Sequence, residues 1–203
     1  INLKLNISLN EVFAPFLKEY ACSSQKIKLS IIDFMIDKLK FVLSSQNNKI
    51  DVTDSVLNTK FVNDLPIKVI LTRIDCISKF SKNKDFKIFL ANFKRINNIL
   101  KSEKFSNDTE FPVNVNFFET IEEKNIYDFI NYFSIKIKEK GLCEKSQDVF
   151  INRLIKMNKS ISLFFDNVIV NHEDFYIKIN RLNLLKNFHN SILKFSSFRF
   201  IEN

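Results

Sequence analysis

Residues 164–185 begin Phe164-Phe165-Asp166-Asn167-Val168-Ile169-Val170, continue through Asn171-His172-Glu173-Asp174, and close on Asn180-Arg181-Leu182-Asn183-Leu184-Leu185. The polar run 171–174 separates two segments of helical periodicity. One helix is predicted over about 147–169 and the last over about 174–195, with Leu182, Leu185 and Ile192 on its apolar face. Phe164 and Phe165 are expected in the core, since adjacent residues on a helix diverge by about 100° and cannot form one flat surface. Asp166 is expected to cap its helix or to pair with Arg181.

The same periodicity extends back along the chain. A long helix over 117–140 ends at Gly141, in the position where a left-handed residue closes a helix, and Ser146 caps the helix that follows. The link 103–116 holds Asn107, Asp108 and Pro112 and reads as a loop, with Phe111 and Val113 turned inward. Helices are predicted near 84–102 and over 64–80, the latter with Asn63 or Asp64 as cap and Pro66 in its first turn. Further helices fall near 52–59, 26–45 and 11–22. Ile27, Ile31, Phe34, Met35, Leu39 and Val42 mark the second of these, which Ser23-Ser24 introduce and the polar run 46–49 ends.

Composition agrees with an all-α fold. The 203 residues include one Gly, three Pro, no Trp and 23 Phe. Sheets need Gly at tight turns and bulges, whereas helices are capped well by Ser, Asn and Asp. An AT-rich coding bias accounts for the abundance of Lys, Asn, Ile and Phe. Cys22, Cys76 and Cys143 are far apart and are expected as reduced thiols of a cytosolic protein. His172 and His189 lack a thiol at ligand spacing, so no metal site is expected, and both are expected as surface or partly satisfied residues. One Gly cannot build a phosphate-cradling loop, and no catalytic triad is discernible. No catalytic residue, cofactor site or membrane span is expected.

The net charge of +8 is unevenly spread: residues 64–106 carry ten cations against four anions. On the helix near 84–102, Lys84, Lys87, Lys94, Asn98 and Lys101 share one face around Ala91, while Phe86, Phe89, Leu90, Phe93 and Leu100 share another. A basic ridge with a small residue at its centre approaches a phosphate backbone closely and releases counterions on binding. The competing reading is an ordinary solvated lysine face. Arg95 lies at the ridge edge, where it joins the ridge or pairs with a carboxylate inside the bundle.

Two blocks in this order carry a resemblance. The Phe164–Val170 block, the acidic link and Asn180–Leu185 resemble the FFD-x-V-x-V and NRL-x-LL close of the bacterial glycyl-tRNA synthetase β subunit. Lys94-Arg95-Ile96-Asn97-Asn98-Ile99-Leu100 resembles that family's KR-x-x-NIL helix, and Ile32-Asp33-Phe34-Met35 followed by Asp37-Lys38-Leu39 is more loosely similar to its DFMLDR-type helix. The resemblance implies an all-α helical bundle, a DALR-type anticodon-binding domain over residues 63–203, preceded by a short helical extension over 1–62 from the β-subunit body. It implies tRNA(Gly) as ligand, held through its anticodon arm, with Lys84, Lys87, Lys94, Arg95, Asn98, Lys101 and Arg181 as contacts. A separate α subunit would activate glycine with ATP and magnesium in a cytoplasmic α2β2 glycine–tRNA ligase. The alternatives are a bracing module without anticodon contact, and the related domain of arginyl-tRNA synthetase. The ending Ile201-Glu202-Asn203 lacks the Arg-Met close of the latter. Departures from the pattern include Tyr176 where a small residue is usual, Phe89 and Phe93 in an alanine-rich helix, and Ser196–Ile201 in place of ADISLL.

Overall fold

A computed structural model describes residues 6–19, 25–45, 49–60, 62–103, 112–138 and 147–201. Among them lie eight α-helices and no strand: α1 Leu9–Glu19, α2 Gln25–Ser45, α3 Ile50–Leu57, α4 Ile67–Ser81, α5 Phe86–Ser102, α6 Ile121–Lys138, α7 Gln147–Asn167 and α8 Phe175–Phe195. The fold is therefore all-α, as the periodicity predicts. The expected caps at Ser23, Ser24 and Ser146, the close at Gly141, Phe111, Cys22 and Cys143 lie outside the described residues.

Two helix starts differ from the expectation, each for a local reason. Helix α4 begins at Ile67, with Pro66 itself as N-cap and its carbonyl accepting from Val69 and Ile70 N–H. Asn63 and Asp64 belong to a preceding 3-10 turn, Val62–Asp64. The free N–H of Ile67 donates to the Ile7 carbonyl at 3.0 Å, so the extended segment before α1 satisfies the helix end that no side chain caps. Helix α6 begins at Ile121 rather than 117, because residues 115–117 form a separate 3-10 turn. Its start is a capping box. Glu123 accepts from Thr120 N–H at 2.9 Å, and Thr120 Oγ1 accepts from Glu123 N–H at 3.4 Å.

Helix α8 is the central element. Most of its residues from Asn180 to Phe195 are buried, and it packs against α5 on one side and α6 on another. Helix α7 packs across α4, α5 and α6, while α2 and α3 lie against the edge beside α4. One hydrophobic cluster runs from Leu43 of α2 to Phe198. Phenylalanines dominate it. Phe80, Phe86, Phe89, Phe93 and Phe198 meet largely edge to face, with Phe80–Phe86 centroids 5.0 Å apart at 86°. Phe129, Phe133, Phe150, Phe188 and Phe195 form a second nest.

The chain after α8 turns back onto α3. Ser197 N–H donates to the Ser55 carbonyl at 2.7 Å, and Ser196 Oγ reaches Ser55 Oγ at 3.0 Å. Arg73 of α4 closes the same corner. Its buried guanidinium lies over the Phe195 ring and donates to the Lys194 and Phe195 carbonyls, the negative end of the α8 dipole. Burial lowers its pKa to about 10.

Phe89→Ala removes a side chain 1% exposed at the centre of this cluster. It is expected to lower stability by about 3–5 kcal/mol in urea unfolding. Phe34→Ala, at a position 57% exposed, is expected to change it by no more than about 0.5 kcal/mol.

Candidate nucleic-acid interface

Helix α5 is divided lengthwise. Phe86, Phe89, Leu90, Phe93, Ile96 and Leu100 are buried, whereas Lys87, Ala91, Lys94, Asn98 and Lys101 are exposed on the opposite side. Lys84 is exposed too, but it stands in the turn before the helix, not on it. At about 1.5 Å per residue, Lys87, Lys94 and Lys101 form a cationic row roughly 21 Å long. Arg95 is also exposed at the edge of the row. Its guanidinium carbon lies 4.1 Å from the centroid of the half-buried Phe165 ring. The alternative of an internal carboxylate partner is not what the structure holds: the ring takes that place, as a cation–π contact.

The ridge is held by a rigid backing. Asn92 Nδ2 donates to Asn158 Oδ1 at 2.8 Å and Ser162 Oγ at 2.9 Å, and Asn158 returns a bond to the Asp85 carbonyl at 3.2 Å. These bonds fix the rotation of α5 on α7. On the α8 side, Phe93 stacks on His189, with centroids 4.8 Å apart at 12°. His189, expected as a surface or partly satisfied residue, is not at the surface: it is 7% exposed. Burial, with Lys101 adding to it against a hydrogen bond to Asn190, lowers its pKa to about 4. The imidazole is therefore neutral at physiological pH and packs as an aromatic ring.

Near the end of the row the acid charge is already engaged. Glu103 accepts from Lys178 Nζ of α8 at 3.0 Å. Not every cation of the basic segment is free on the surface, however. Arg73 is inside, and the half-exposed Lys79 pairs with Asp75 at 3.2 Å.

Arg181 is the main revision. The sequence places it among the RNA contacts, but it is 3% exposed and engaged by protein on every side. Its Nε donates to Glu123 Oε1 at 3.0 Å, Nη2 to Glu119 Oε2 at 2.6 Å and Nη1 to the Ile169 carbonyl at 3.0 Å. With all three nitrogens bonded to protein and the side chain buried, this guanidinium is closed to a phosphate or base edge. Asp166 is exposed and is not its partner; the α6 carboxylates are. Asn180 is structural in the same way, giving and receiving bonds with the Asn114 backbone at 3.1 and 2.8 Å. The partner Glu123 was missed, although Thr120-x-x-Glu123 before an apolar run is a readable cap signal.

Among the described residues, no three His, Cys, Asp or Glu side chains stand together as metal ligands, and no helix is long and apolar enough to cross a membrane. Cys76 is buried, and burial raises its thiol pKa to about 12.

Fold and surface together define a helical bundle that displays one lysine-lined helix. The chain belongs to the DALR anticodon binding domain family, whose profile matches residues 89–195. It is 32% identical over 204 residues to the glycine–tRNA ligase beta subunit of Buchnera aphidicola subsp. Schizaphis graminum, covering 99% of this chain and 28% of that protein. It is 33% identical over 186 residues to the namesake of Rickettsia bellii, covering 92% and 26%, and 30% identical over 185 residues to that of Thermodesulfovibrio yellowstonii, covering 90% and 25%. The chain thus spans about a quarter of the length of these relatives.

Arg181→Ala leaves Glu123, which is fully buried, without its counter-charge. A loss of about 3–5 kcal/mol is expected in denaturant unfolding. The pH profile follows from His189. Its folded pKa lies below the unfolded value of 6.5, so between pH 6.5 and about 4 the unfolded chain binds more protons. Stability is expected to fall as pH drops through this window, and His189→Phe to flatten that part of the profile.

Proposed function

We propose that this chain is the tRNA-binding region of a glycine–tRNA ligase β subunit. Residues 1–62 would be the tail of the preceding helical body and 63–203 the anticodon-binding bundle. One observation carries the reading. The α5 row Lys87–Lys94–Lys101, with Asn98 and Arg95 beside it, is exposed on a rigidly backed helix, and most of that helix lies within the family match. Lysines along the row neutralise phosphates of the anticodon arm, and Asn98 has the donors and acceptor to reach a base edge or ribose. Arg181 supports this surface from within rather than touching RNA.

In this reading the bundle supplies orientation, not bond-making. Holding the anticodon arm sets the acceptor end toward a distant active site, where an α subunit activates glycine with ATP and magnesium. The assembly is an α2β2 heterotetramer of the cytoplasm. The names borne by the relatives favour the glycine enzyme over the arginine enzyme. A second reading, a bracing module, has one observation in its favour: Ile27, Phe34 and Phe41 lie seven residues apart on α2, and all are exposed.

The test is binding to tRNA(Gly) and to the same tRNA with its CC anticodon bases replaced, over a salt series. The native anticodon is expected to bind more tightly. Lys87→Glu/Lys94→Glu is expected to weaken binding at low salt and to reduce the slope of log K against log salt by about 1–2. Unchanged tRNA affinity in that variant, with the helical circular dichroism retained, would support the bracing reading instead.

A further inference from the structure

Arg95 differs from the other cations of its segment in how it is held. Arg73 and Arg181 are buried and give their donors to the bundle, whereas Arg95 is exposed on α5. No hydrogen bond or ion pair holds it among the described residues; what holds it is the Phe165 ring, 4.1 Å from the guanidinium carbon. A cation–π contact engages the charge without using an N–H, so the donors of Arg95 stay available. The ring is itself fixed. Phe165 is half-buried, packs against the hydrophobic core and meets the fully buried Phe164 at 5.6 Å and 73°. It lies one turn beyond Ser162 on α7, along the face that Asn92 clamps to α5. Asp166 follows Phe165, but the two diverge by about 100°, and Asp166 makes no ion pair with Arg95.

The lysines of the row have no such seat. Each is a point charge on a flexible stem, suited to a phosphate and indifferent to the base attached to it. A guanidinium in a set place is directional, and its neighbour extends what it can read. Asn98 stands one turn further along α5, exposed like Arg95, at a spacing that puts the two Cβ atoms about 5–6 Å apart. The pairing edge of an unpaired cytosine presents an amino donor at N4 and acceptors at N3 and O2. The side-chain carbonyl of Asn98 accepts from the amino group, and Arg95 donates to the acceptors. Uracil has an N3–H donor where cytosine has an acceptor, and arginine has no acceptor to meet it.

We propose that Arg95, positioned by Phe165, reads a cytosine edge of the anticodon together with Asn98, while the lysine row holds phosphates without reading sequence. This rests on the tRNA-binding reading, and the experiment separates the two. The probes are tRNA(Gly) and the same tRNA with its CC anticodon bases changed to UU, bound across a salt series by variants that keep the helical circular dichroism. Arg95→Lys retains the charge and loses the planar fork. It is expected to cut the preference for CC about fivefold or more and to leave the salt slope unchanged. Phe165→Leu, an apolar replacement for a half-buried ring, is expected to do the same by removing the seat, and Phe165→Tyr, which keeps the ring, to preserve the preference. Arg95→Lys/Phe165→Leu is expected to lose no more than either single variant, because both act on one contact. Arg153→Lys is the control: Arg153 sits 3.7 Å over the Tyr132 ring of α6, on another side of α7, and its replacement is expected to leave the preference alone. A preference retained in Arg95→Lys overturns the proposal, and a preference lost in Arg95→Lys but retained in Phe165→Leu overturns the positioning role of the ring. A wild-type chain that binds both tRNAs equally, or neither, overturns the anticodon reading itself.

Discussion

A carboxylate buried between two helices organises this bundle. Glu123 uses one oxygen to close the capping box that starts α6 and the other to accept from Arg181 of α8. Glu119 and the Ile169 carbonyl each accept from one of the two terminal guanidinium nitrogens, so the group also binds the end of the α7–α8 link. Such a pair is costly to desolvate and is tolerable only when its polar atoms are bonded, as they are here. Its value lies in register. It sets α6, the link and α8 in one arrangement, and α8 is the element on which the exposed helix rests.

Helix α5 shows how the core and the surface site depend on each other. Its inner face is locked by phenylalanines, by the Phe93–His189 stack and by the Asn92–Asn158–Ser162 bonds. That fixes its rotation, and a fixed rotation is what makes a row from Lys87, Lys94 and Lys101. A lysine-rich helix free to roll would present no defined track. The neutral His189 belongs to the same arrangement, since a charged imidazole beneath Lys101 would oppose both burial and the row.

The site was only partly legible in the chain. The division of α5 into an apolar and a cationic face follows from its spacing, and Lys87, Lys94, Asn98 and Lys101 stand where the spacing put them, whereas Lys84 falls in the turn before the helix. Arg181 shows the boundary of such reading. Its place beside the recurring Asn180-Arg181-Leu182 pattern suggested contact with a ligand, but the same pattern serves equally to hold helices together. What distinguishes the two is the presence of Glu119 and Glu123, some sixty residues upstream, and no local periodicity connects them. The seat of Arg95 on Phe165, across a similar distance, was invisible for the same reason.

The sequence by itself determined the helices, their apolar faces and the excess of positive charge on one segment, because these depend on residues three and four positions apart. Only the tertiary structure decided which charges reach solvent. Arg73 and Arg181 are as cationic as Lys94, yet one lies on the C-terminal carbonyls of α8 and the other between two glutamates. Burial is a property of packing between distant segments: local spacing proposes a surface, and long-range contacts settle which charges remain on it.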